Sequence, residues 1–176
     1  VEAALSQLWA AGLMDIDAIL EAPEMQLAMA VRPSGYYNQK ASRLRSIAAY
    51  ITSAASSVTE FLQRDPDELR PDLLSLKGVG PETADSILLY AAQIPRFVVD
   101  AYTERILSRI GIVKPGLSYE NLQREFESQL PADHELFNEF HALLVKLATA
   151  NCKKNPDCQR CCLKVGCSYY TNQSPK

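Results

Sequence analysis

Two groups of residues in this chain have the types and spacing needed for chemistry, and the first is a glycine hairpin. Residues 76–80 read Leu-Lys-Gly-Val-Gly and join two short helical patterns. Glycine adopts backbone conformations closed to other residues and leaves its amide group uncovered. Amide N–H groups at the N-terminus of a following helix attract anions. The pattern therefore predicts a phosphate-binding hairpin formed by Lys77, Gly78, Val79 and Gly80.

The second group is a set of four cysteines late in the sequence. Cys152, Cys158, Cys161 and Cys167 follow the spacing Cys-x5-Cys-x2-Cys-x5-Cys, and Cys162 is a spare. Four thiolates suit a [4Fe-4S] cluster, which is the cofactor that we predict. A zinc site is the alternative. Disulfides are disfavoured because the sequence opens with no secretory signal.

Composition favours a helical protein with unevenly distributed charge. The 176 residues contain seven glycines and carry a formal net charge of −3. From Cys152 onward, five Lys or Arg residues and one Asp give +4, so the preceding residues sum to −7. The C-terminal segment can therefore lie along phosphates although the whole chain is acidic. No run of about 18 apolar residues is present, which argues against a membrane partner and predicts a cytoplasmic, intracellular location.

Apolar residues recur with helical spacing along the chain, which predicts an all-α protein. Ser118 and Asp133 are expected to cap helices, and Gly111 is expected to end one. Asp100 follows the apolar run 97–99, where an aspartate is also a favoured helix cap. The predicted helices cover residues 2–11, 15–22, 24–31, 36–53, 81–91, 101–110, 119–129 and a segment beginning at 134.

In this order the motifs resemble those of the helix-hairpin-helix DNA glycosylases, the superfamily of endonuclease III and the adenine-mismatch glycosylases. The resemblance rests on Leu-Lys-Gly-Val-Gly-x-x-Thr-Ala-Asp at 76–85, Val-Val-Asp at 98–100 and Gly-x-Tyr-x-x-Lys-Ala at 35–41. It implies a two-lobed helical fold with a C-terminal [4Fe-4S] cluster loop. It also implies a monomeric enzyme whose partner is double-stranded DNA containing a damaged base. The family's first cysteine gap has six residues, one more than this chain has.

The resemblance implies a domain boundary as well. Residues 1–99 would form a barrel-like helical domain that carries the hairpin and lacks its N-terminal helices. Residues 100–176 would form a second helical domain that ends in the cluster loop. The family has a further helical segment before the residues that resemble the start of this chain, so we expect such a segment to precede Val1.

The same resemblance assigns roles to individual residues. Asp100 would be the catalytic carboxylate, stabilising positive charge on the sugar and orienting or deprotonating a water. Glu82 stands where the bifunctional members have a lysine nucleophile, and a carboxylate cannot form an imine, so abasic-site lyase activity is not expected. Glu82 and Tyr102 are candidates for the substrate pocket, and Lys40 is a candidate DNA contact. The two histidines, His134 and His141, are interpreted as surface or packing residues.

The substrate is the least constrained prediction. The motifs look closest to the 3-methyladenine glycosylase branch, which implies an alkylated purine, with mismatched thymine or uracil as the alternative. Two other functions remain open at this point: a bifunctional endonuclease III-like glycosylase and abasic-site lyase, and a non-catalytic helix-hairpin-helix module that binds DNA.

Overall fold

The computed structural model describes residues 1–173, which contain helices but no strand, so the predicted all-α class is confirmed. A π-helical turn, Ile87–Ala91, continues α7, and short 3₁₀ turns occur elsewhere. No helix within the described range is long and apolar enough to cross a membrane. The α-helices are α1 Glu2–Ala10, α2 Ile16–Glu21, α3 Glu24–Ala30, α4 Tyr37–Ala54, α5 Val58–Leu62, α6 Pro66–Ser75, α7 Pro81–Ser86, α8 Ala101–Ile110, α9 Tyr119–Glu127, α10 His134–Ala150 and α11 Ser168–Gln173.

Helix ends follow the capping residues that the sequence contains. The Ser118 side chain accepts a hydrogen bond from the Asn121 N–H at 3.3 Å at the start of α9. Asp133 accepts from the Glu135 N–H at 2.8 Å at the start of α10. Gly111 ends α8 with a φ of 94°, a left-handed conformation that favours glycine. Local side-chain chemistry therefore fixes where these helices begin and end.

The chain divides into two compact units, Val1–Gly80 and Pro81–Lys176. Residues 174–176 of the second unit lie outside the described part. The predicted boundary between residues 99 and 100 falls inside the second unit, and as a division between functional domains it stays a prediction.

The first unit has a core of alanine and aliphatic side chains from α3, α4 and the segments next to α2, and α2 itself adds partly buried side chains. Ala41 and Ala48 of α4 are buried. Trp9 of α1 is 76% exposed. Phe61, Leu69 and Leu73 are fully buried and seat α5 and α6, the helix that leads into the hairpin. The main cluster of buried side chains comprises Leu13, Ala22, Leu27, Ala28, Ala30, Val31 and Ala41.

The second unit has an aromatic core. The Phe97 ring stacks on Phe126 with ring centroids 4.6 Å apart, and it meets Phe137 edge-on at 5.5 Å. Leu144 and Ala148 of α10 are buried with Ile106 of α8 in a neighbouring cluster. These contacts pack α8 against α10.

Candidate active site

Asp100 is the N-cap of α8 and is held by Thr103. One carboxylate oxygen, Oδ1, accepts hydrogen bonds from the Thr103 backbone N–H at 2.7 Å and from the Thr103 hydroxyl at 2.8 Å. The Asp100 side chain is only 12% exposed. The expected capping role is therefore present, and it leaves the second oxygen, Oδ2, available for other contacts.

The extended segment 97–99, which delivers Asp100 to α8, is held by side chains of α9. The Phe97 N–H donates to Glu127 Oε1 at 2.9 Å, and the Gln123 amide donates to the Phe97 carbonyl at 2.8 Å. The Val99 N–H donates to the Tyr119 hydroxyl at 3.5 Å. Because this buried backbone has no helical partners, these side chains satisfy groups that would otherwise be costly to bury.

A fully buried carboxylate, Asp85, joins this arrangement from α7. Its Oδ2 accepts a hydrogen bond from the Tyr119 hydroxyl at 2.8 Å and another from the Gln123 amide at 2.8 Å. The Arg96 guanidinium lies 3.8 Å from Asp85 Oδ1. Asp85 therefore links the helix after the hairpin to the side chains that hold the segment before Asp100. Asp85 is the last residue of the motif at 76–85, but the motif alone predicts no role for it.

Three other titratable side chains lie close to Asp100. His141 Nε2 is 3.6 Å from Asp100 Oδ2. The Tyr90 hydroxyl forms a hydrogen bond with His141 Nδ1. Glu82, in the first turn of α7, interacts electrostatically with both Asp100 and His141. These residues come from α7, the π turn, α8 and α10, all within the second unit.

The two carboxyl groups of this cluster have pKa values shifted in opposite directions. Burial alone would raise the pKa of Asp100, but His141 and the two Thr103 donors stabilise its ionised form and lower the pKa from 3.8 to about 2. The pKa of Glu82 is raised, first by partial desolvation of its carboxyl group and then by the negative charge of Asp100. Glu82 as a residue remains exposed. Asp100 is therefore an ionised carboxylate at neutral pH.

His141, which the sequence predicts to be a surface or packing residue, has a further contact that the sequence did not indicate. Its side chain is 13% exposed and lies against Asp100, 41 positions away in the sequence. No local pattern could reveal this, because Tyr90, Asp100 and His141 meet only after α8 and α10 have packed together. His134 is the first residue of α10 and precedes His141 by about two helical turns.

Tyr102 lies beside Asp100 in the first turn of α8. It is 37% exposed, and the Arg105 guanidinium lies 5.0 Å from its ring centroid. An exposed aromatic face supported by a cation can stack on a base. Its assignment to the substrate pocket stays a prediction.

The hairpin residues have distinct environments at the end of the first unit. Gly78 has a φ of 89°, and a Cβ placed there would overlap the Arg43 side chain. The Val79 side chain is buried, and its N–H donates to the Leu76 carbonyl at 3.0 Å. Lys77 is exposed. The buried Val79 side chain therefore anchors the hairpin in the first unit. Lys77 and the backbone of the two glycines remain candidates for contact with phosphate.

Lys40 occupies a different place, in the first turn of α4. Its ammonium group donates to the Ser34 carbonyl at 2.6 Å. An ammonium group has three N–H donors, so this bond leaves donors for another ligand. Lys40 is thus partly committed within its own unit, and its contact with DNA stays a prediction.

The four predicted cysteine ligands line one small cavity in the second unit. All five cysteines are free thiols. The pKa of Cys158 is raised by burial and then by the neighbouring thiols of Cys167, Cys152 and Cys161, so the four sulfur atoms lie close enough to interact. The disulfide alternative is therefore not supported.

Arginines of α8 hold the cysteine segment in place. Arg109 donates to Cys152 Sγ at 3.4 Å and to the Lys153 carbonyl at 2.7 Å. Arg105 donates to the Cys152 carbonyl at 3.0 Å. Across residues 1–173, no three His, Cys, Asp or Glu side chains form a group suited to a single metal ion. The thiols surround a cavity, as a cluster needs when each cysteine binds a separate iron.

Comparisons with known proteins place these features in context. The family model for the HhH-GPD superfamily of base excision DNA repair proteins matches residues 1–132. A protein of Methanocaldococcus jannaschii, whose name assigns it to the DNA repair glycosylases, is 41% identical over 169 residues. That match covers 95% of this chain and 77% of the relative.

Solved structures resemble the fold along most of the chain. An H. pylori 3-methyladenine DNA glycosylase bound to 1,N6-ethenoadenine has a TM-score of 0.74 and 30% identity, covering 84% of this chain and 76% of that one. An endonuclease III in a non-covalent complex with DNA has a TM-score of 0.78 and 22% identity, covering 97% of this chain and 75% of that one. The second likeness is one of fold.

Proposed function

Because this chain belongs to the HhH-GPD superfamily of base excision DNA repair proteins and is a DNA glycosylase of that family, we propose a specific reaction for it. The protein hydrolyses the N-glycosidic bond of an alkylated purine in double-stranded DNA and leaves an intact abasic strand. Asp100 is its catalytic residue. The reaction needs no amine nucleophile.

The observation that carries this proposal is the pair of carboxyl groups, Asp100 and Glu82. Asp100, with its lowered pKa, supplies the negative charge that an oxocarbenium-like sugar requires. Glu82 occupies the place of the lysine in the bifunctional members, and no imine can form on a carboxyl group. The pair therefore supports hydrolysis over lyase chemistry.

In the proposed step the bond between the sugar C1′ and the base nitrogen breaks, and its electron pair leaves with the base. A water oxygen forms the new bond to C1′, and one water proton passes to the Asp100 carboxylate. An alkylated purine that carries a positive charge accepts this electron pair readily. Enzymes that act on a base must first take it out of the stack. Tyr102 and Glu82 are the residues that we assign to the pocket for the extruded base.

The choice of an alkylated purine is supported by similarity. The H. pylori glycosylase, 30% identical to this chain, is named for 3-methyladenine and was solved with 1,N6-ethenoadenine. Both are modified adenines.

Contact with the DNA backbone is assigned to the hairpin. Among the described residues, the amide groups of Gly78 and Gly80 have no backbone hydrogen-bond partner. Exposed Lys77 adds a cation, and Lys40 has donors left for a second phosphate. These contacts would hold the strand on which Asp100 acts.

A [4Fe-4S] cluster is assigned to Cys152, Cys158, Cys161 and Cys167. Four thiols around one cavity suit such a cluster, and Cys162 is exposed and outside that cavity. The cluster would be structural, since hydrolysis of a glycosidic bond transfers no electron. Lys153, Lys154, Arg160 and Lys164 lie between the ligands and would present positive charge to phosphates.

The test is an excision assay on the full-length protein. Duplexes each carry one lesion: 3-methyladenine, 7-methylguanine, 1,N6-ethenoadenine, thymine or uracil opposite guanine, or thymine glycol. We expect release of an alkylated purine, with strand cleavage only after hot alkali. Cleavage without alkali, together with a borohydride-trapped protein–DNA adduct, would show a bifunctional enzyme. Binding without excision of any lesion would show a non-catalytic module.

A further inference from the structure

The two oxygens of the Asp100 carboxylate have different partners. Oδ1 is occupied by both donors of Thr103, at 2.7 and 2.8 Å. Oδ2 makes neither of these bonds and faces His141 Nε2 at 3.6 Å. Because Oδ1 caps α8, His141 is the neighbour that can orient Oδ2 through a hydrogen bond.

His141 Nε2 is a buried polar atom whose bonding is incomplete. Within the described part of the chain it has no hydrogen-bond partner. Leaving a buried donor unpaired is energetically unfavourable. A movement of less than about 1 Å would bring Nε2 and Oδ2 of Asp100 within hydrogen-bonding distance. The geometry therefore favours a direct bond between these two atoms when the site tightens around a substrate.

Tyr90 contacts the other ring nitrogen of His141. Its hydroxyl is hydrogen-bonded to His141 Nδ1, and the two rings are tilted at 50° with centroids 5.9 Å apart. When the hydroxyl donates to Nδ1, the proton of a neutral imidazole must lie on Nε2, which faces Asp100. Tyr90 belongs to the π-helical turn Ile87–Ala91, and such turns are frequent at functional sites.

The helix that carries His141 is firmly seated. Phe137 and Leu144, one turn to either side, are buried at 1% and 7% exposure. These buried neighbours hold the backbone of α10 in place at His141, next to Asp100. The imidazole itself is only 13% exposed, so it is largely buried beside Asp100.

We propose that His141 is a positioning residue for base excision: its Nε2–H, directed by Tyr90, binds Oδ2 of Asp100 and holds the carboxylate toward the sugar. This inference rests on the proposed glycosylase function. Asp100 remains the catalytic residue, and His141 acts through it. The other groups that face Asp100 are Thr103 of α8, Glu82 of α7 and Tyr90 of the π turn.

The test compares variants of the full chain on duplexes that bear 1,N6-ethenoadenine or 3-methyladenine. Single-turnover excision rates are measured together with the Kd for a duplex that contains a tetrahydrofuran abasic analogue. The variants are His141→Leu, which removes the donor, His141→Gln, which keeps an N–H at a similar reach, and Tyr90→Phe. His134→Leu, a histidine of the same helix outside the cluster, is the matched control.

We expect His141→Leu to lower the single-turnover rate at least 10-fold while changing the Kd less than twofold. His141→Gln should recover most of that loss, Tyr90→Phe should fall in between, and His134→Leu should match the parent. His141→Leu should also move the acid limb of the rate profile to higher pH, because His141 helps to lower the pKa of Asp100. A purely structural role would not move that limb.

Parental rates in His141→Leu would overturn the inference, as would a His141→Gln variant as slow as His141→Leu. If circular dichroism shows that His141→Leu is unfolded, the rates of Tyr90→Phe and His141→Gln decide the question in the same way. A parent that excises neither lesion but another base corrects the proposed substrate, and the variants are then compared on that base. A parent that excises nothing overturns the proposed function itself.

Discussion

Asp100 and Glu82 are near enough for their charges to interact, and their pKa values are shifted in opposite directions. Thr103 and His141 stabilise the ionised form of Asp100, whereas desolvation and the charge of Asp100 favour the protonated form of Glu82. Pairs of carboxyl groups whose pKa values are pushed apart mark acid–base assignments in enzymes. Asp100 therefore places a negative charge at the N-terminus of α8 at neutral pH.

The lowered pKa of Asp100 predicts a pH-dependent contribution to stability. The pKa of Asp100 is about 2 in the folded protein and 3.8 in the unfolded chain. The ionised carboxylate therefore stabilises the fold fully above pH 3.8. That contribution is about 2 kcal/mol at neutral pH and is lost as the pH falls toward 2. Urea unfolding should show that the parent loses about 1 kcal/mol more than Asp100→Asn between pH 6 and pH 3. Equal losses in the two proteins would show that Asp100 has no lowered pKa.

Glu82→Lys tests the absence of an amine nucleophile. This change puts a primary amine in the first turn of α7, where Glu82 already interacts with Asp100. A correctly placed nucleophile gains many kcal/mol from proximity. We expect weak borohydride trapping of the variant on abasic DNA even if base excision falls. Efficient trapping by the parent, retained in Lys77→Ala, would identify an amine elsewhere and contradict a purely hydrolytic mechanism.

Residues differ in how far the sequence could predict them. Asp100 and Glu82 stand at fixed offsets from the hairpin, so their positions could be read from a local motif. His141 could not, because it reaches Asp100 only through the packing of α10 against α8. Tyr90 likewise meets His141 across 51 residues.

At the scale of elements, the site depends on a short segment without regular structure. Residues 97–99 have their backbone groups bonded to side chains of α9, and Gln123 joins that segment to the buried Asp85. The caps at Ser118 and Asp133 could be predicted because capping involves residues two or three apart. The clamp formed by Gln123, Asp85 and the Phe97 carbonyl could not be predicted, because the sequence does not show that Gln123 and Asp85 are both buried.

Gln123→Leu should therefore destabilise the second unit. The change leaves the Phe97 carbonyl unpaired and removes a donor from the buried carboxylate of Asp85. We expect a loss of roughly 2–4 kcal/mol in the free energy of unfolding, measured in urea. Gln129→Leu, at an exposed glutamine, is the control and should stay within about 0.5 kcal/mol of the parent. Equal stability of the two variants would show that the clamp contributes nothing.

At the scale of the whole molecule, α8 connects the surroundings of Asp100 to the cysteine segment. Asp100 caps its first turn, and Arg105 and Arg109 in its later turns hold the segment that begins at Cys152. A disturbance of the cysteine segment can therefore reach the helix that Asp100 caps. Under the proposed function, this connection is how a structural cluster would support the active site.

The cysteine assignment is tested by metal analysis. Purified protein should absorb broadly near 400 nm and contain about four irons per chain. Cys158→Ser should lose the iron, whereas Cys162→Ser should keep it because Cys162 lies outside the cavity lined by the other four. Iron loss in both variants would show a different ligand set, and stoichiometric zinc without iron would exclude the cluster.

The central claim, that Asp100 performs the excision, is tested most directly by Asp100→Asn in single-turnover excision on the duplex that the parent cleaves at the glycosidic bond. Asparagine keeps an oxygen for Thr103 but carries no charge. We expect the rate to fall at least roughly 10²-fold, as for loss of a positioned acid–base group, while the Kd for a tetrahydrofuran duplex changes only a few-fold. Comparable single-turnover rates in the variant and the parent would remove Asp100 from the mechanism.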